Sequence, residues 1–257
     1  MSSLREKFTI VTGASTPKGI GNAIAKRFAE AGAAVFLVAE GTVGQLQTAQ
    51  KECQAFPHAG RIEYGVFDLA VAGAAERMIE EAERRFGRVD VLVNNAGIRA
   101  PYKFGEYTRE QFDKVVAVNL AAPFFASQAV LPVMRKQGGG RIINIASQLG
   151  RVTYARRALY GLTKAAVIHL TKSMAYELGG EGIIVNAISP GPVKTQPILD
   201  RMQEDPAEAA RRLKEYMPSG RFGEPPEIAE LALFLATTTA TFLQGEDICI
   251  DGGYTLH

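Results

Sequence analysis

Seven short apolar runs, separated by longer stretches of helical spacing, constrain this chain more than any other feature. The runs are Phe8 to Gly13, Ala33 to Ala39, Ile62 to Asp68, Val89 to Gly97, Gly140 to Ser147, Gly182 to Gly191 and Asp247 to Gly253. Each is short, rich in β-branched residues and nearly continuous in apolar character, which suits strands buried on both faces, as in a parallel sheet. Between them, Ile24, Phe28 and Ala31 share one helical stripe, and Met78, Ile79, Ala82 and Phe86 share another. Strands and helices in this alternation imply right-handed crossovers, so the expected fold is α/β, a doubly wound parallel sheet of seven strands with helices on both faces. No Pro/Ser-rich linker, low-complexity tract or internal repeat divides the 257 residues, which predicts a single domain over 1–257.

Composition narrows the class of function. With 47% hydrophobic and 22% charged residues the chain reads as an ordinary globular enzyme, and a net charge of +2 points neither to nucleic acid nor to a membrane surface. The N-terminal MSSLREKFTIV carries charges where a signal peptide needs an apolar segment, and no apolar run is expected to reach the length of a membrane span. A cytoplasmic protein is therefore expected. Cys53 and Cys249 are isolated and read as reduced packing thiols, and no cluster of ligand residues predicts a metal.

In such a sheet, ligands bind beyond the carboxyl ends of the strands. There the sequence turns small and polar: Thr12 to Gly21 after the first strand, Asn94-Asn95-Ala96-Gly97 at the fourth, Ser147 at the fifth, and Ser189 to Thr195 at the sixth. Tyr160 and Lys164 lie four apart in a strongly helical segment, so both side chains share one face. An ammonium beside a phenol favours the phenolate, giving an acid/base pair without histidine. Such a pair is also common on helix surfaces, and only its context distinguishes the two readings. Tyr154, a competing phenol, has Ala158 where the lysine would stand.

The glycine loop, the Asn94 to Gly97 turn, Asn119, Ser147 thirteen residues before Tyr160, Lys164 four after it, and the Pro190-Gly191 segment occur in this order. Together they resemble the classical short-chain dehydrogenase/reductase family over essentially the whole chain. The resemblance implies a Rossmann-type fold and an NAD(P)-dependent oxidoreductase that interconverts a secondary alcohol and a ketone. By that resemblance Tyr160 is the general acid/base, Ser147 stabilises charge on the substrate oxygen, and Lys164 favours the phenolate while holding the nicotinamide ribose. Asn119 anchors a relay water. Pro123, four residues on, has no N–H for the Asn119 carbonyl and predicts a kink there.

The cofactor set implied comprises Gly13, Ser15, Lys18, Gly19, Ile20, Gly21, Glu40, Asp68, Leu69, Asn95, Ala96, Gly97, Tyr160, Lys164, Pro190, Gly191, Val193 and Thr195, with Asn94 bordering it. The loop carries two residues more than the family's glycine pattern between Gly13 and Gly19. NAD is favoured because Glu40, nineteen positions beyond Gly21, repels a 2′-phosphate, whereas Lys18 argues for NADP. The substrate side is assigned to Arg99, Gln148, Tyr154 and Arg157, with a variable loop over 194–223 that includes Arg201 and Arg211, expected to act as a mobile lid. So many cations suit an anionic or polar substrate such as a sugar or sugar acid, with a 3-oxoacyl thioester as the alternative. Relatives are usually homotetramers. A hydrolase using Ser147, Asp200 and His257 is disfavoured by the missing G-x-S-x-G, and the stronger rival is a non-catalytic dinucleotide-binding regulator.

Overall fold

The fold is drawn from a computed structural model that describes residues 3–256, so His257 lies outside the described residues. Its strands are β1 (Phe8–Thr12), β2 (Ala34–Ala39), β3 (Ile62–Val66), β4 (Val91–Asn94), β5 (Gly140–Ile145), β6 (Ile183–Pro190) and β7 (Asp247–Ile250). Its helices are α1 (Ile20–Glu30), α2 (Val43–Gln54), α3 (Ala74–Phe86), α4 (Arg109–Val116), α5 (Ala122–Lys136), α6 (Ala158–Leu178), α7 (Gln196–Glu204), α8 (Pro206–Tyr216) and α9 (Pro225–Thr237). The strands form one sheet in the order β3-β2-β1-β4-β5-β6-β7, parallel at every pairing. All seven expected strands are present.

The register explains where a ligand could enter. Phe8 of β1 pairs with Ala34 of β2 on one side and Thr9 pairs with Val91 of β4 on the other. The winding direction therefore reverses between β1 and β4, which opens a crevice at their carboxyl ends. β3 and β4 stop short of the expected Asp68 and Gly97, because the chain leaves the ladder there. At β4 the Thr12 hydroxyl accepts the N–H groups of Asn95 and Ala96, each at 2.9 Å, and so pulls the turn toward the glycine loop.

Both faces of the sheet are covered. On one, Ile24 and Phe28 of α1, Leu46 of α2 and Leu233 of α9 pack on Val11, Val35 and Leu37. On the other, Met78 and Ile79 of α3, Val130 and Met134 of α5 and Leu178 of α6 pack on Ile10, Phe36, Leu92 and Ile142. Burying each of the larger of these side chains contributes roughly 1.5–3 kcal/mol. Cys53 belongs to the first cluster, and burial pushes its thiol up to about 12.

Two expectations are corrected. The helical run Arg109–Lys136 is long and apolar enough, by length and composition, to cross a membrane, although no run of that length was expected. Here it lies along the sheet, with Val130, Val133 and Met134 buried beneath α3 and against β5. The segment 194–223 is not an open loop but chiefly two helices, the second started by Pro206 and capped by Asp205, whose carboxylate accepts the Glu208 N–H at 2.9 Å.

Candidate active site

The glycine loop closes on itself before α1 begins. Gly13 has φ +67°, a left-handed value, and a Cβ there would lie 2.8 Å from Asn95 Nδ2 and 3.0 Å from Ala96 Cα, so only glycine lets β1 and β4 turn this closely. Gly21 sits equally tightly against the Gly13 carbonyl. The two extra residues are absorbed in a turn closed by Gly19 N–H on the Thr16 carbonyl at 2.9 Å, with Lys18 at φ +57°. That turn directs Lys18 away from the main cleft and into a separate groove beside Lys26, Phe56 and Lys194. Ile20 can then open α1 with its free N–H groups toward the cleft, the arrangement that favours a phosphate.

The main cleft, about 720 Å³, lies over the carboxyl ends of the strands. It is at the large end of the range of small-molecule sites, roughly 300–1,000 Å³. Of the residues expected at the cofactor, Gly13, Ser15, Gly19, Ile20, Glu40, Leu69, Asn95, Ala96, Gly97, Tyr160, Lys164, Pro190, Gly191, Val193 and Thr195 line it. Asp68 does not: its carboxylate is exposed and accepts the Ala70 N–H at 2.9 Å, while its neighbours Phe67 and Leu69 face the cleft. Asn94 is turned inward, donating to Ser127 Oγ at 3.0 Å and Asn144 Oδ1 at 2.9 Å. Thr16 of the glycine loop also lines the cleft, as do Gln45 and Phe67, which carry no motif signal.

Ser147, Tyr160 and Lys164 reach one end of this cleft from two elements, the strand end after β5 and the first two turns of α6. Lys164 is buried, donates from Nζ to the Ile145 carbonyl at 2.6 Å, and stands 5.7 Å from the centroid of the Tyr160 ring. Burial holds the Lys164 ammonium below the usual lysine range; Tyr160 opposes that shift and Arg99 adds to it. The Ser147 hydroxyl donates to Gln148 Oε1 at 3.1 Å and accepts the Leu149 N–H at 3.2 Å, capping the short turn Gln148–Gly150.

Asn119 lies below the cleft rather than in it. It is 1% exposed, and its amide donates to the Ile98 carbonyl at 3.0 Å and Thr163 Oγ1 at 3.1 Å while Oδ1 accepts the Ile98 N–H at 2.8 Å. Residues Ala117–Ala121 around it form a π turn, with the Ala122 N–H on the Ala117 carbonyl, so the departure from regular helix expected near Pro123 is present.

Of the residues assigned to the substrate, Arg99, Gln148 and Arg157 line the cleft, joined by Arg201 of α7. Tyr154 does not line it. Its hydroxyl donates to Glu208 Oε1 of α8 at 2.8 Å and its ring meets Tyr216 edge-on at 6.0 Å.

The cleft fits a dinucleotide. The Thr195 hydroxyl is buried in its wall and is the one such side-chain atom among the described residues left without a hydrogen-bond partner, as a site built for an amide or phosphate would leave it. Glu40 and Gln45 stand at the opposite end, beyond β2, where ribose hydroxyls could be held.

A family profile described as Enoyl-(Acyl carrier protein) reductase matches residues 13–255. The 3-oxoacyl-(acyl-carrier-protein) reductase of Thermotoga maritima is 36% identical over 98% of this chain and 99% of its own length. A 3alpha-hydroxysteroid dehydrogenase of Mediterraneibacter gnavus is 39% identical over 97% of each. A solved structure from Beutenbergia cavernae, described as an NAD(P)-dependent gluconate 5-dehydrogenase with NADP bound, superposes with a TM-score of 0.91 at 35% identity over 99% of both chains. Matched over nearly its whole length in sequence and in fold, the chain belongs to the short-chain dehydrogenase/reductase family of oxidoreductases.

Proposed function

We propose that this protein interconverts a secondary alcohol and a ketone with NAD, using Tyr160 as general acid/base. The observation that carries the reading is the joint placement of Tyr160, Lys164 and Ser147 at one end of a cleft whose other end is the glycine loop and Glu40. A bound nicotinamide would supply or accept the hydride. In the oxidative direction Tyr160 takes the hydroxyl proton of the substrate, and in reduction it returns one to the nascent alkoxide. Ser147 exchanges its bond to Gln148 for one to the substrate oxygen, where charge develops. Lys164, anchored by the Ile145 carbonyl, keeps two further N–H donors, for a ribose hydroxyl and for the charge on Tyr160. Asn119 acts as a positioning residue through Ile98 and Thr163, and its backbone carbonyl is the proposed anchor of the relay water.

NAD rather than NADP is supported by Glu40, the one acidic residue lining the cleft among the described residues, and by Lys18, which lines another groove. A cytoplasmic, single-domain homotetramer completes the reading. Exposed Phe124, Leu162 and Tyr176 on α5 and α6 support association of copies through that face. The deciding experiment follows nicotinamide absorbance with polyols, aldonates, hydroxyacyl thioesters and aromatic alcohols, each with NAD and NADP. Turnover that vanishes in Tyr160→Phe supports the proposal; cofactor binding with no turnover of any alcohol would leave a dinucleotide-binding regulator instead.

A further inference from the structure

Arg151 stands four residues beyond Ser147, at the end of the turn Gln148–Gly150 that the Ser147 hydroxyl caps, and it does not line the cleft. Its Nε donates to Asp247 Oδ2 at 2.7 Å, and a terminal nitrogen donates to the Asp247 backbone carbonyl. Asp247 opens β7, two strands from β5 in the sheet order, or roughly 10 Å away at the usual strand spacing. The pair therefore reaches across the end of β6. The Asp247 side chain is 3% exposed, and its Oδ1 accepts the hydroxyl of Ser189, itself buried in β6, at 2.6 Å. A carboxylate so deeply buried keeps its charge through a paired cation and full hydrogen bonding, and Arg151 is that cation.

What the pair holds is the backbone that carries Ser147. The Gly150 N–H donates to the Ser147 carbonyl at 2.9 Å, and the N–H groups of Arg151 and Val152 donate to the Gln148 carbonyl at 2.9 and 3.0 Å, so residues 147–152 form one unit. That unit lies flush on α6. A Cβ at Gly150 would stand 2.9 Å from both the Lys164 carbonyl carbon and the Ala165 nitrogen, and one at Gly161 would stand 2.7 Å from the Leu149 carbonyl oxygen. The contact is with the stretch of α6 that carries Tyr160 and Lys164, and it is made by backbone. Backbone against backbone sets how close two elements come, whereas their register comes from interlocking side chains. Arg151 supplies the missing lock from the far side of β6. The Pro190-Gly191 wall needs no such help, because Pro190 is already paired with Ile250 and the Gly191 N–H donates to the Ile250 carbonyl at 3.0 Å.

We propose that Arg151 is a positioning residue for the reaction: clamped to Asp247, it fixes the turn Gln148–Gly150 along α6 and thereby sets the Ser147 hydroxyl level with Tyr160. The inference rests on the oxidoreductase reading and adds a residue that acts through Ser147 without touching substrate. Charge-assisted bonds from one planar guanidinium to both the carboxylate and the carbonyl of Asp247 fix direction as well as distance, which a lysine ammonium does less well.

A double-mutant cycle with Ser147 tests this. Sorbitol, gluconate, 3-hydroxybutyryl-coenzyme A and 1-phenylethanol are followed with NAD and NADP in wild type, Arg151→Gln, Arg151→Lys, Ser147→Ala and the double variant Ser147→Ala/Arg151→Gln. Ser147→Ala is expected to lower kcat about a hundredfold and Arg151→Gln about tenfold, with KM for alcohol and cofactor held within about threefold. On the Ser147→Ala background the Arg151→Gln change should cost less than about twofold, since no serine hydroxyl is left to place. Arg151→Lys should recover part of kcat, and where Arg151→Gln does not fold, Arg151→Lys completes the same cycle. Hydrogen exchange of peptides spanning 146–153, which needs no substrate, should quicken in Arg151→Gln while α6 keeps its wild-type rates. Equal losses of kcat with and without Ser147, or exchange over 146–153 that does not change, overturn the inference. The two readings fail separately: no Tyr160-dependent turnover of any of these alcohols sinks the oxidoreductase reading and leaves exchange to decide the clamp, whereas turnover with additive losses sinks the positioning role alone.

Discussion

Asn119 holds Ile98 twice, accepting its N–H at 2.8 Å and donating to its carbonyl at 3.0 Å, so a buried side chain below the cleft fixes the turn that carries Gly97 and Arg99. Asn119→Leu fills the volume but leaves both Ile98 groups and the Thr163 hydroxyl short of partners. A loss on the order of 3 kcal/mol in stability is expected, read as a lower urea midpoint with an unchanged slope. Turnover should fall with it by at least about tenfold even where the variant is fully folded, because Arg99 and the Gly97 backbone lose their support. Activity unchanged in the folded variant would show that the turn holds itself.

Lys164 gives a prediction with a sign that depends on pH. Burial lowers its pKa in the folded state, so the unfolded chain holds that proton more tightly. The group therefore costs stability at neutral pH, and the cost fades as pH rises from the folded pKa toward the ordinary lysine value, about 10.4. Lys164→Met should unfold at a higher urea concentration than wild type at pH 7, with the gap narrowing by pH 9.5, while turnover falls by more than about a hundredfold. A gap that widens with pH would mean that the bond to Ile145, not the buried charge, dominates.

How much of this could be read in the residues depends on what each signal rests on. The strands and their parallel pairing follow from apolar runs, whose period is a local property, and the meeting of Ser147, Tyr160 and Lys164 follows from strand-end and helical spacing. Asp68 and Tyr154 were misplaced for a different reason. Whether a side chain at a strand end or loop faces a cleft depends on which way its neighbours turn, and here Phe67 and Leu69 take the inward positions while Glu208 captures the Tyr154 hydroxyl. Lys18 shows the same limit, since its left-handed φ within the lengthened turn decides its direction. Arg201 could be listed among the basic residues but not distinguished from Arg211 until α7 and α8 gave each its partners.

Cofactor choice is tested at Glu40. With a carboxylate at the end of β2 and Lys18 in another groove, wild type should prefer NAD over NADP by at least about tenfold in kcat/KM, the effect of direct repulsion on a 2′-phosphate. Glu40→Arg should reverse the preference by raising kcat/KM for NADP, whereas Lys18→Ala should change the NAD-to-NADP ratio by less than about twofold. A large loss of NADP activity in Lys18→Ala would return that lysine to the cofactor.

The last prediction concerns how α8 is held. Tyr154 donates to Glu208 at 2.8 Å, Arg211 donates to both Glu208 and the Tyr154 hydroxyl, and the Tyr154 and Tyr254 rings flank Tyr216, so the loop before α6 and the C-terminal turn clamp the same helix. Removing one hydroxyl takes away charge-assisted bonds, each contributing about 1.5–3 kcal/mol when well formed and less where solvent reaches them. Because α7 and α8 have few buried residues, the loss should appear as local opening rather than global unfolding. Tyr154→Phe is therefore expected to keep its thermal midpoint within a few degrees, to expose the α7–α8 amides to faster hydrogen exchange, and to raise KM several-fold with kcat nearly held. Exchange confined to wild-type rates would show that ring packing alone fixes the helix, and the same KM rise without faster exchange would place Tyr154 in contact with substrate after all.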